Sequence, residues 1–221
     1  MATNVDICNL ALALLGDAAE VTSIDPPDGS DQAGHCARWY PMALKKLSEE
    51  FDWSFAIKRA RLSEIQSFDK GLYGYDHAYS YPSDCVRVIR VSQIKAHSYG
   101  SVEQGVLREH PSMVSEDYEI EQNPDNGGKM IVTDAPNAMI VYTTMMKSPS
   151  QFPAYFTDAL VVLLASFLVG PLKRSDSSSS MAQSLLKQYE AALSRAKTLD
   201  ASQSKFKRLE RVPSSIQSRW V

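Results

Sequence analysis

The sequence predicts an α+β fold that is mainly helical, with a helical bundle, a small antiparallel β region and an extended C-terminal tail. Three observations support this prediction: apolar residues recur at helical spacing near both ends, Val- and Ile-rich segments alternate between residues 79 and 146, and periodicity is lost beyond about residue 200. With 221 residues, 44% of them hydrophobic, the chain can bury one ordinary core. We therefore expect a single domain over residues 1–203 and a tail over residues 204–221.

The first helix is predicted over residues 4–16. Thr3 and Asp6 have the spacing of a capping box, although Asp stands where Glu or Gln is usual. An apolar stripe follows at helical spacing, and it comprises Ile7, Leu10, Ala11, Leu14 and Leu15. We expect this stripe to face the core and the helix to end at Gly16.

A second, long helix is predicted over residues 31–62. Ser30 or Asp31 can cap it, after the turn-forming residues 25–29. Its predicted apolar face carries Ala33, Cys36, Ala37, Tyr40, Leu44, Leu47 and Phe51. Because Pro41 removes a backbone donor inside this pattern, we expect a kink before it or two abutting helices.

A β region is predicted over about residues 79–146. Residues 85–91 are rich in Val and Ile and alternate with a period of two, and residues 138–145 add a further strand. Residues 95–116, between these segments, are poorly patterned. We expect them to form a long loop.

Turn-forming residues indicate how the strands connect. The Asn-Gly-Gly sequence at residues 126–128 separates two alternating segments, residues 118–121 and 130–132, and predicts a hairpin. The Asp-Ala-Pro-Asn sequence at residues 134–137 is a natural turn between the last two strands. These connections predict one small antiparallel sheet of three or four strands.

Two more helices are predicted over residues 153–169 and 180–200, the first of them ended by Gly170-Pro171. The first is apolar nearly all round, so we expect it in the core or in a subunit contact. Its most apolar run, residues 159–170, is shorter than the roughly 20 residues that a membrane span needs. We therefore expect no membrane partner. The helix predicted over residues 180–200 carries an apolar stripe of Leu185, Tyr189, Leu193, Ala196 and Leu199.

Charge is unevenly distributed along the chain. The formal net charge of −3 argues against a protein that coats nucleic acid non-specifically. Residues 1–50 hold eight acidic and three basic side chains, whereas residues 204–221 hold five basic and one acidic. The two ends of the chain could therefore supply oppositely charged contact surfaces.

The pattern of cysteines and histidines gives little support to metal or cofactor chemistry. The three cysteines cannot form a closed set of internal disulfides, and this predicts a reducing compartment. His35 and Cys36 are adjacent, but neighbours on a helix point about 100° apart, which is unsuited to a shared metal ion. We expect neither a metal nor a cofactor.

A thiol nucleophile with a histidine base remains an alternative. The thiol would be that of Cys36 or Cys85. The candidate bases are His35, His77, His97 and His110. Because Cys36 lies on the predicted apolar stripe, we interpret it as a core residue.

Other possible catalytic patterns also favour structural interpretations. Residues 71–77 lack the glycine spacing of a phosphate-binding loop and are typical of an aromatic turn, and the HExxH and GxSxG motifs are absent. Glu119 and Glu121 share one side of a strand, as its solvated side would. We expect no catalytic residues.

The basic tail has three interpretations: solvated disorder, a contact with DNA phosphates, or an arm that docks a partner. Aromatic and aliphatic residues spaced between positive charges are suited to an arm that folds on binding. The candidate residues for binding a partner or a neighbouring subunit are Phe206, Arg208, Arg211, Ile216, Arg219 and Trp220.

Several strings, taken in order, resemble one known family. They are ICNLALALLGD from Ile7, CARWYP from Cys36, WSFA from Trp53, YSYPSDC from Tyr79 running into VRVIRV, IVTDAPNAMIVYTT from Ile131, and Phe152-Pro153. Together they resemble the tail tubular protein A family, the head-to-tail adaptor of short-tailed bacteriophages. The likeness extends over about residues 5–200 and lies in the order of the strings.

The resemblance implies a virion structural protein with no catalytic residues. It implies a ring, commonly of twelve copies, between the portal and a tail nozzle of the tail tubular protein B type. In the family, a helical bundle forms the ring wall, a small β-rich region projects from it, and double-stranded DNA passes through the channel. Such a protein is assembled in the host cytoplasm and resides in the neck of the virion. Docking of a tail fibre, seen in some members, is left open.

Two other functions remain as alternatives. One is a cytoplasmic thiol-dependent enzyme that uses the scattered cysteines and histidines. The other is a DNA-binding head-completion factor that uses the basic tail.

Overall fold

A computed structural model describes residues 2–65, 73–99, 108–173 and 178–203. This part of the chain has an α+β fold, as predicted. The helices are α1 (Asn4–Leu14), α2 (Asp31–Glu49), α3 (Ala154–Leu172) and α4 (Ser178–Gln203). The strands are β1 (Ile57–Arg61), β2 (His77–Ser80), β3 (Cys85–Tyr99), β4 (Arg108–Glu116), β5 (Tyr118–Gln122), β6 (Lys129–Thr133) and β7 (Met139–Thr144).

Helix α3 is the centre of the helical unit. Helices α1, α2 and α4 each pack along it, whereas α1 and α2 touch one another only briefly. About half of the side chains of α3 are buried, and they lie in the middle of the helical core, which confirms the predicted core helix. The helix passes through the predicted stop at Gly170-Pro171 because the amide of Lys173 still closes the last turn on the carbonyl of Val169, at 2.8 Å.

Helix α1 presents a different face to the core from the one predicted. Its capping box is present, since Thr3 and Asp6 exchange side-chain to backbone hydrogen bonds. The buried residues are Ile7, Cys8, Ala11, Leu12 and Leu15. Leu10 and Leu14, predicted to be buried, are 52% and 44% exposed. The helix is apolar on two sides, so its periodicity alone could not select the buried one.

Helix α2 begins as predicted, because the Ser30 hydroxyl accepts a hydrogen bond from the amide of Ala33 at 3.1 Å. The helix is continuous through Pro41. The prediction that it reaches residue 62 is wrong, since α2 ends at Glu49. There the indole of Trp53 donates to the carbonyl of Leu47 at 2.8 Å and fixes a corner.

After this corner the chain forms a short 3-10 turn, Ser54–Ala56, and then β1. Strand β1 pairs antiparallel with β7, from Ile57 opposite Thr143 to Arg61 opposite Met139. This pairing joins segments about 80 residues apart in sequence. Such a partner is not visible in the local pattern, and it overrides the helical interpretation.

The β region is larger than the single sheet of three or four strands that was predicted. One antiparallel sheet has the order β1-β7-β3-β4 and the other has the order β2-β6-β5. The predicted hairpin is confirmed: β5 and β6 pair from Tyr118 opposite Thr133 to Gln122 opposite Lys129, with Gly127 at a φ of +67° in the turn. The turn at residues 134–137 does not join paired strands; it carries the chain from one sheet to the other.

The two sheets share a second hydrophobic core. Its buried members come from both sheets and the connection between them, and they are Tyr79, Val88, Val91, Ile131, Ala135, Ala138, Ile140 and Tyr142. A separate cluster on the other side of the smaller sheet contains Ala78, Met130 and Val132. The helical and β parts therefore each bury apolar side chains of their own.

The loop predicted for residues 95–116 is wrong over its described part. Strands β3 and β4 pair from Val91 opposite Glu116 to Tyr99 opposite Arg108. Strand β7 accompanies β3 only as far as Ser92, opposite Met139. Beyond that point β3 and β4 form a two-stranded ribbon. Its residues lack a strict apolar alternation because no third strand covers them, which explains why the pattern was not recognised.

Candidate functional site

The Cys36 thiol, one of the two predicted candidate nucleophiles, lies in the helical core. Cys36 and Cys8 are both fully buried, and they bring α1 and α2 together. The hydrogen bond with Cys36, together with burial, raises the pKa of the Cys8 thiol. A thiol pair held in an apolar core is suited to packing, because nucleophilic attack needs an accessible thiolate.

The half-buried Cys85 begins β3. Burial raises the pKa of this thiol, and the polar groups that act on it are those of Tyr81, Asp84 and Lys129 rather than a histidine. A raised pKa leaves less thiolate at neutral pH. The environment of Cys85 therefore does not resemble that of an activated nucleophile.

The four histidines are spread over different elements. His35 precedes Cys36 on α2, and its Nδ1 atom is buried without a hydrogen-bond partner in the described chain. The Nδ1 atom of His77, at the start of β2, lies 2.7 Å from a carboxylate oxygen of Glu64. His97 and His110 are register partners in the β3–β4 ribbon. The fold thus places two histidines opposite one another in strand register and brings a third beside a carboxylate.

The acidic residues do not gather into a metal site. No cluster of three or more His, Cys, Asp and Glu side chains suited to a metal ion occurs within the described ranges. Glu119 is exposed and Glu121 half-exposed on β5, as expected for a solvated strand side. In the described part of the predicted aromatic turn, Gly74 has a φ of +73°, a backbone conformation that glycine readily adopts.

An open cleft of about 460 Å³ lies between the β2–β3 connection and the β5–β6 hairpin. The Lys129 ammonium stands 5.3 Å from the ring centroid of Tyr81 there. The cleft is also lined by Ser80, Asn123 and Asn126. The Cys85 thiol lines the cleft as well, but burial raises its pKa, so the cleft brings no activated nucleophile to these polar groups.

A buried carboxylate connects three parts of the helical unit. Asp200, near the end of α4, is 1% exposed. Its oxygens accept hydrogen bonds from the Ser54 amide and the Ser54 hydroxyl, both at 2.8 Å, and from the Tyr155 hydroxyl at 2.7 Å. Burial and the bond to Asp200 raise the pKa of Tyr155, so this phenol remains a neutral donor. The three bonds hold α4 against the α2–β1 corner and the start of α3.

This junction was not found from the sequence. Asp200 lies four residues after Ala196, in the position that continues the buried stripe of α4. An acidic residue at a core position of an amphipathic helix is the signal that could have found it, because a buried charge needs hydrogen-bond partners. The junction stands just before residue 204, where the predicted tail begins.

The proposed partner-binding residues of the tail lie outside the described residues. This applies to the tail over residues 204–221 as a whole and to its six candidate contacts, Phe206, Arg208, Arg211, Ile216, Arg219 and Trp220. The described chain ends with the last turn of α4, at Gln203. Residues 201–203 at the end of α4 are exposed.

The helical unit also presents apolar side chains to solvent. Besides Leu10 and Leu14 on α1, Met42 on α2 is 55% exposed, and Leu186 and Leu199 on α4 are 42% and 40% exposed. Large apolar side chains grouped at the surface of a soluble protein often mark a contact with another protein. The α1 and α2 faces are therefore candidate interaction surfaces.

Helix α3 is long and apolar enough to cross a membrane, with a mean hydropathy of 1.8 over its best window. Half of that window is buried by the rest of the protein. Its position between α1, α2 and α4 is that of a core helix in a globular unit. Length and composition alone are weak evidence for a membrane span.

Comparisons with known proteins do not identify a relative. No protein-family profile matches the chain, and a search of curated proteins finds no significantly similar sequence. The ordered strings of the sequence are therefore the basis on which a family is proposed below.

Proposed function

We propose that this protein is a head-to-tail adaptor of a short-tailed bacteriophage, similar to the tail tubular protein A family. Identical subunits, twelve in the family's usual arrangement, form a ring between the portal and the tail nozzle, and genome DNA passes through the ring during ejection. Residues 1–203 are the adaptor domain, whose mainly helical part builds the wall while the β region projects. The role is mechanical, with no enzymatic step.

The observation that carries this proposal is that the sequence strings on which the resemblance rests contact one another in the folded chain, where the sheets connect and where the helices pack. The Tyr79 hydroxyl, from the YSYPSDC string, donates to the carbonyl of Ala135 at 2.7 Å and accepts from the amide of Ala138 at 3.3 Å. Both partners belong to the IVTDAPNAMIVYTT string. The connection between the two sheets belongs to the IVTDAPNAMIVYTT string. Tyr79 of the YSYPSDC string therefore fixes that connection through its two hydrogen bonds.

The helical strings meet in the same manner. Trp53, from the WSFA string, is 1% exposed, and its ring packs edge-on against Phe156 at a centroid distance of 5.1 Å. Phe152, which completes the last string, stands 5.0 Å from the same Phe156 ring. Cys36, from the CARWYP string, packs against Cys8 of the first string.

Residues at such joints specify a fold rather than a catalytic reaction. The strings that carry the resemblance therefore supply long-range contacts within this fold. The functional step from fold to adaptor rests on the resemblance itself.

The proposal assigns the tail to docking on the portal. Basic side chains and spaced anchors suit a segment that becomes ordered on assembly. Asp200 holds the end of α4 through three hydrogen bonds before the tail begins. A truncation after Gln203 keeps this junction, so it removes the tail without removing a known support of the helical unit.

Electron microscopy of the purified protein mixed with portal tests the proposal. We expect a ring below the portal, and its absence would contradict the adaptor function. The chain truncated after Gln203 should remain folded but fail to join the portal, and undiminished binding would show that the tail is not the docking arm. Tight, salt-sensitive binding of the isolated protein to duplex DNA would instead favour a head-completion factor.

A further inference from the structure

The outward face of α1 is apolar in the middle and acidic at its N-terminal end. Leu10 and Leu14 are its exposed apolar residues, and Asp6 precedes Leu10 by one turn. At about 100° per residue, these three side chains and Ala13 fall within an arc of about 100°. Asp17, just beyond the helix, is half-buried, and its carboxylate accepts hydrogen bonds from the Ala19 amide and the Gln32 side chain of α2 rather than extending this face.

The outward face of α2 has the same layout with the opposite charge. Met42 is 55% exposed, Arg38 precedes it by one turn, and Lys45 and Lys46 follow it by three and four residues. These four side chains fall within an arc of similar width. Asp31 and Glu49 fall within the same arc, and Glu49 pairs with Lys45 at 4.0 Å, so three basic against two acidic side chains leave the face with one net positive charge.

Both faces lie opposite the sides that pack against α3, except that the Lys46 ammonium at the edge of the α2 face lies 5.8 Å from the ring centroid of Phe167 on α3. Each helix packs its other side along α3 and buries its core residues there. The apolar residues of the two outward faces are left exposed by the described part of the chain. Two surfaces of opposite charge thus lie on two helices of the same unit.

We propose that the α1 face of one subunit docks on the α2 face of a second copy of this chain. This inference deepens the proposed function, since a ring of identical subunits needs a contact between two different faces. An α1–α1 contact would bring the Asp6 side chains of two copies together. An α2–α2 contact would oppose Arg38, Lys45 and Lys46 with themselves. Like charges disfavour both pairings, and the mixed pairing matches Leu10 and Leu14 with Met42.

The size of the contact predicts how the subunits assemble. A helix of 11 residues is about 16 Å long, so the α1 face offers less than the roughly 800 Å² per partner of a typical stable interface. A single contact is therefore weak. In a closed ring each subunit makes the contact twice, and the linked contacts reinforce one another.

Cysteine cross-linking tests the pairing and can capture a weak contact. Leu10→Cys and Met42→Cys are made as separate full-length variants, each with its cysteine at an exposed position. We expect a disulfide-linked dimer when the two are mixed under mild oxidation, and a ladder of higher species from the double variant. Leu10→Cys mixed with Leu186→Cys is the matched control, and it should give at least about tenfold less dimer.

The other outcomes overturn the inference. Self-linking of either single variant in preference to the mixture would indicate a symmetric contact. Cross-links that appear only after truncation at Gln203 would mean that the tail of the same chain covers a face. Equal yields from the control mixture would mean random collision.

A charge swap gives a second readout that does not depend on oxidation. Leu10→Lys places a positive charge opposite the basic α2 face, and Met42→Glu places a negative charge opposite the acidic α1 face. We expect each to reduce self-association about tenfold in sedimentation experiments, and the double variant to recover it. Failure of the double variant to recover, with circular dichroism unchanged, would reject the pairing.

The two proposals can fail separately. Rings on the portal without the Leu10–Met42 cross-link would leave the adaptor function standing and remove this interface. Cross-linked rings that do not join the portal would keep the interface and remove the adaptor function.

Discussion

Asp200 and Ser54 are separated by 146 residues and joined by two hydrogen bonds of 2.8 Å. Ser54 belongs to the corner where the helical unit gives way to β1, and Asp200 belongs to the last described turns of the chain. Tyr155, at the start of α3, adds a third bond to the same carboxylate. The Asp200 carboxylate therefore binds both the segment that leads into the β region, at Ser54, and the segment that follows the β region, at Tyr155.

Replacement of Asp200 by Ala should lower the free energy of unfolding by about 3 kcal/mol, because it leaves the amide and hydroxyl of Ser54 and the Tyr155 hydroxyl without their acceptor. Urea denaturation followed by tryptophan fluorescence measures the change. Asp200→Asn keeps one acceptor oxygen and should lose less. Glu190→Ala, at an exposed position on the same helix, serves as the control, and an equal loss there would contradict the assignment.

Two tyrosines provide a matched test of hydrogen bonding in the core. Tyr79→Phe removes the bonds to Ala135 and Ala138 and should cost about 1 kcal/mol of unfolding free energy. Tyr40→Phe should leave the stability unchanged or raise it. The Tyr40 hydroxyl is buried without a partner among the described residues, and burial raises its pKa to about 12. Thermal unfolding of both variants measures the two changes in stability. A larger loss of stability for Tyr40→Phe than for Tyr79→Phe would contradict the prediction.

The loop before α2 should make stability depend on pH. Hydrogen bonds from the backbone of Thr22 and from Ser30 hold the pKa of Asp28 below its usual range. A lowered pKa in the folded state stabilises the fold above the unfolded value of about 3.9, and the contribution is lost as the pH falls through the folded value.

Asp28→Asn should therefore be less stable than the wild type at pH 7, and the difference should shrink below about pH 4. Urea unfolding at pH 7, 5 and 3 measures it. Asp158→Asn, at an exposed position on α3, is the control variant. A difference that grows towards pH 3 would have the wrong sign.

The proposed adaptor function predicts that phage particles carrying Cys36→Ala or His77→Ala remain infectious. Cys36 fills space in the helical core, so its loss should cost about 1 kcal/mol of stability. His77 contacts Glu64 at the edge of the smaller sheet. A plaque assay at normal temperature measures infectivity. Loss of infectivity while the variant subunit remains folded would instead favour the alternative function, a thiol-dependent enzyme.

The sequence predicted elements whose signals are local. Ser30 caps α2 by a bond to an amide three residues away, and Gly127 lies in a turn between paired strands. The apolar run of α3 is visible without knowledge of its neighbours. Each of these features is decided within a few residues.

The elements that were missed are decided by distant partners. The buried side of α1 is chosen by contact with α3, about 150 residues later, because Leu10 and Leu14 would have served a core equally well. Strand β1 is selected by β7, and the ribbon of β3 and β4 by mutual pairing. The Asp200 junction depends in the same way on Ser54 and Tyr155. The sequence pattern of a single segment does not show which distant segment will pack against it.

The central position of α3 also bears on how the protein is made. Helices α1 and α2 leave the ribosome early, but the surface that covers their apolar sides is not synthesised until residues 154–172. Meanwhile all seven strands have already been translated and can close their own core. The β region should therefore fold before the helical unit, and the apolar sides of α1 and α2 should stay uncovered until α3 has been synthesised.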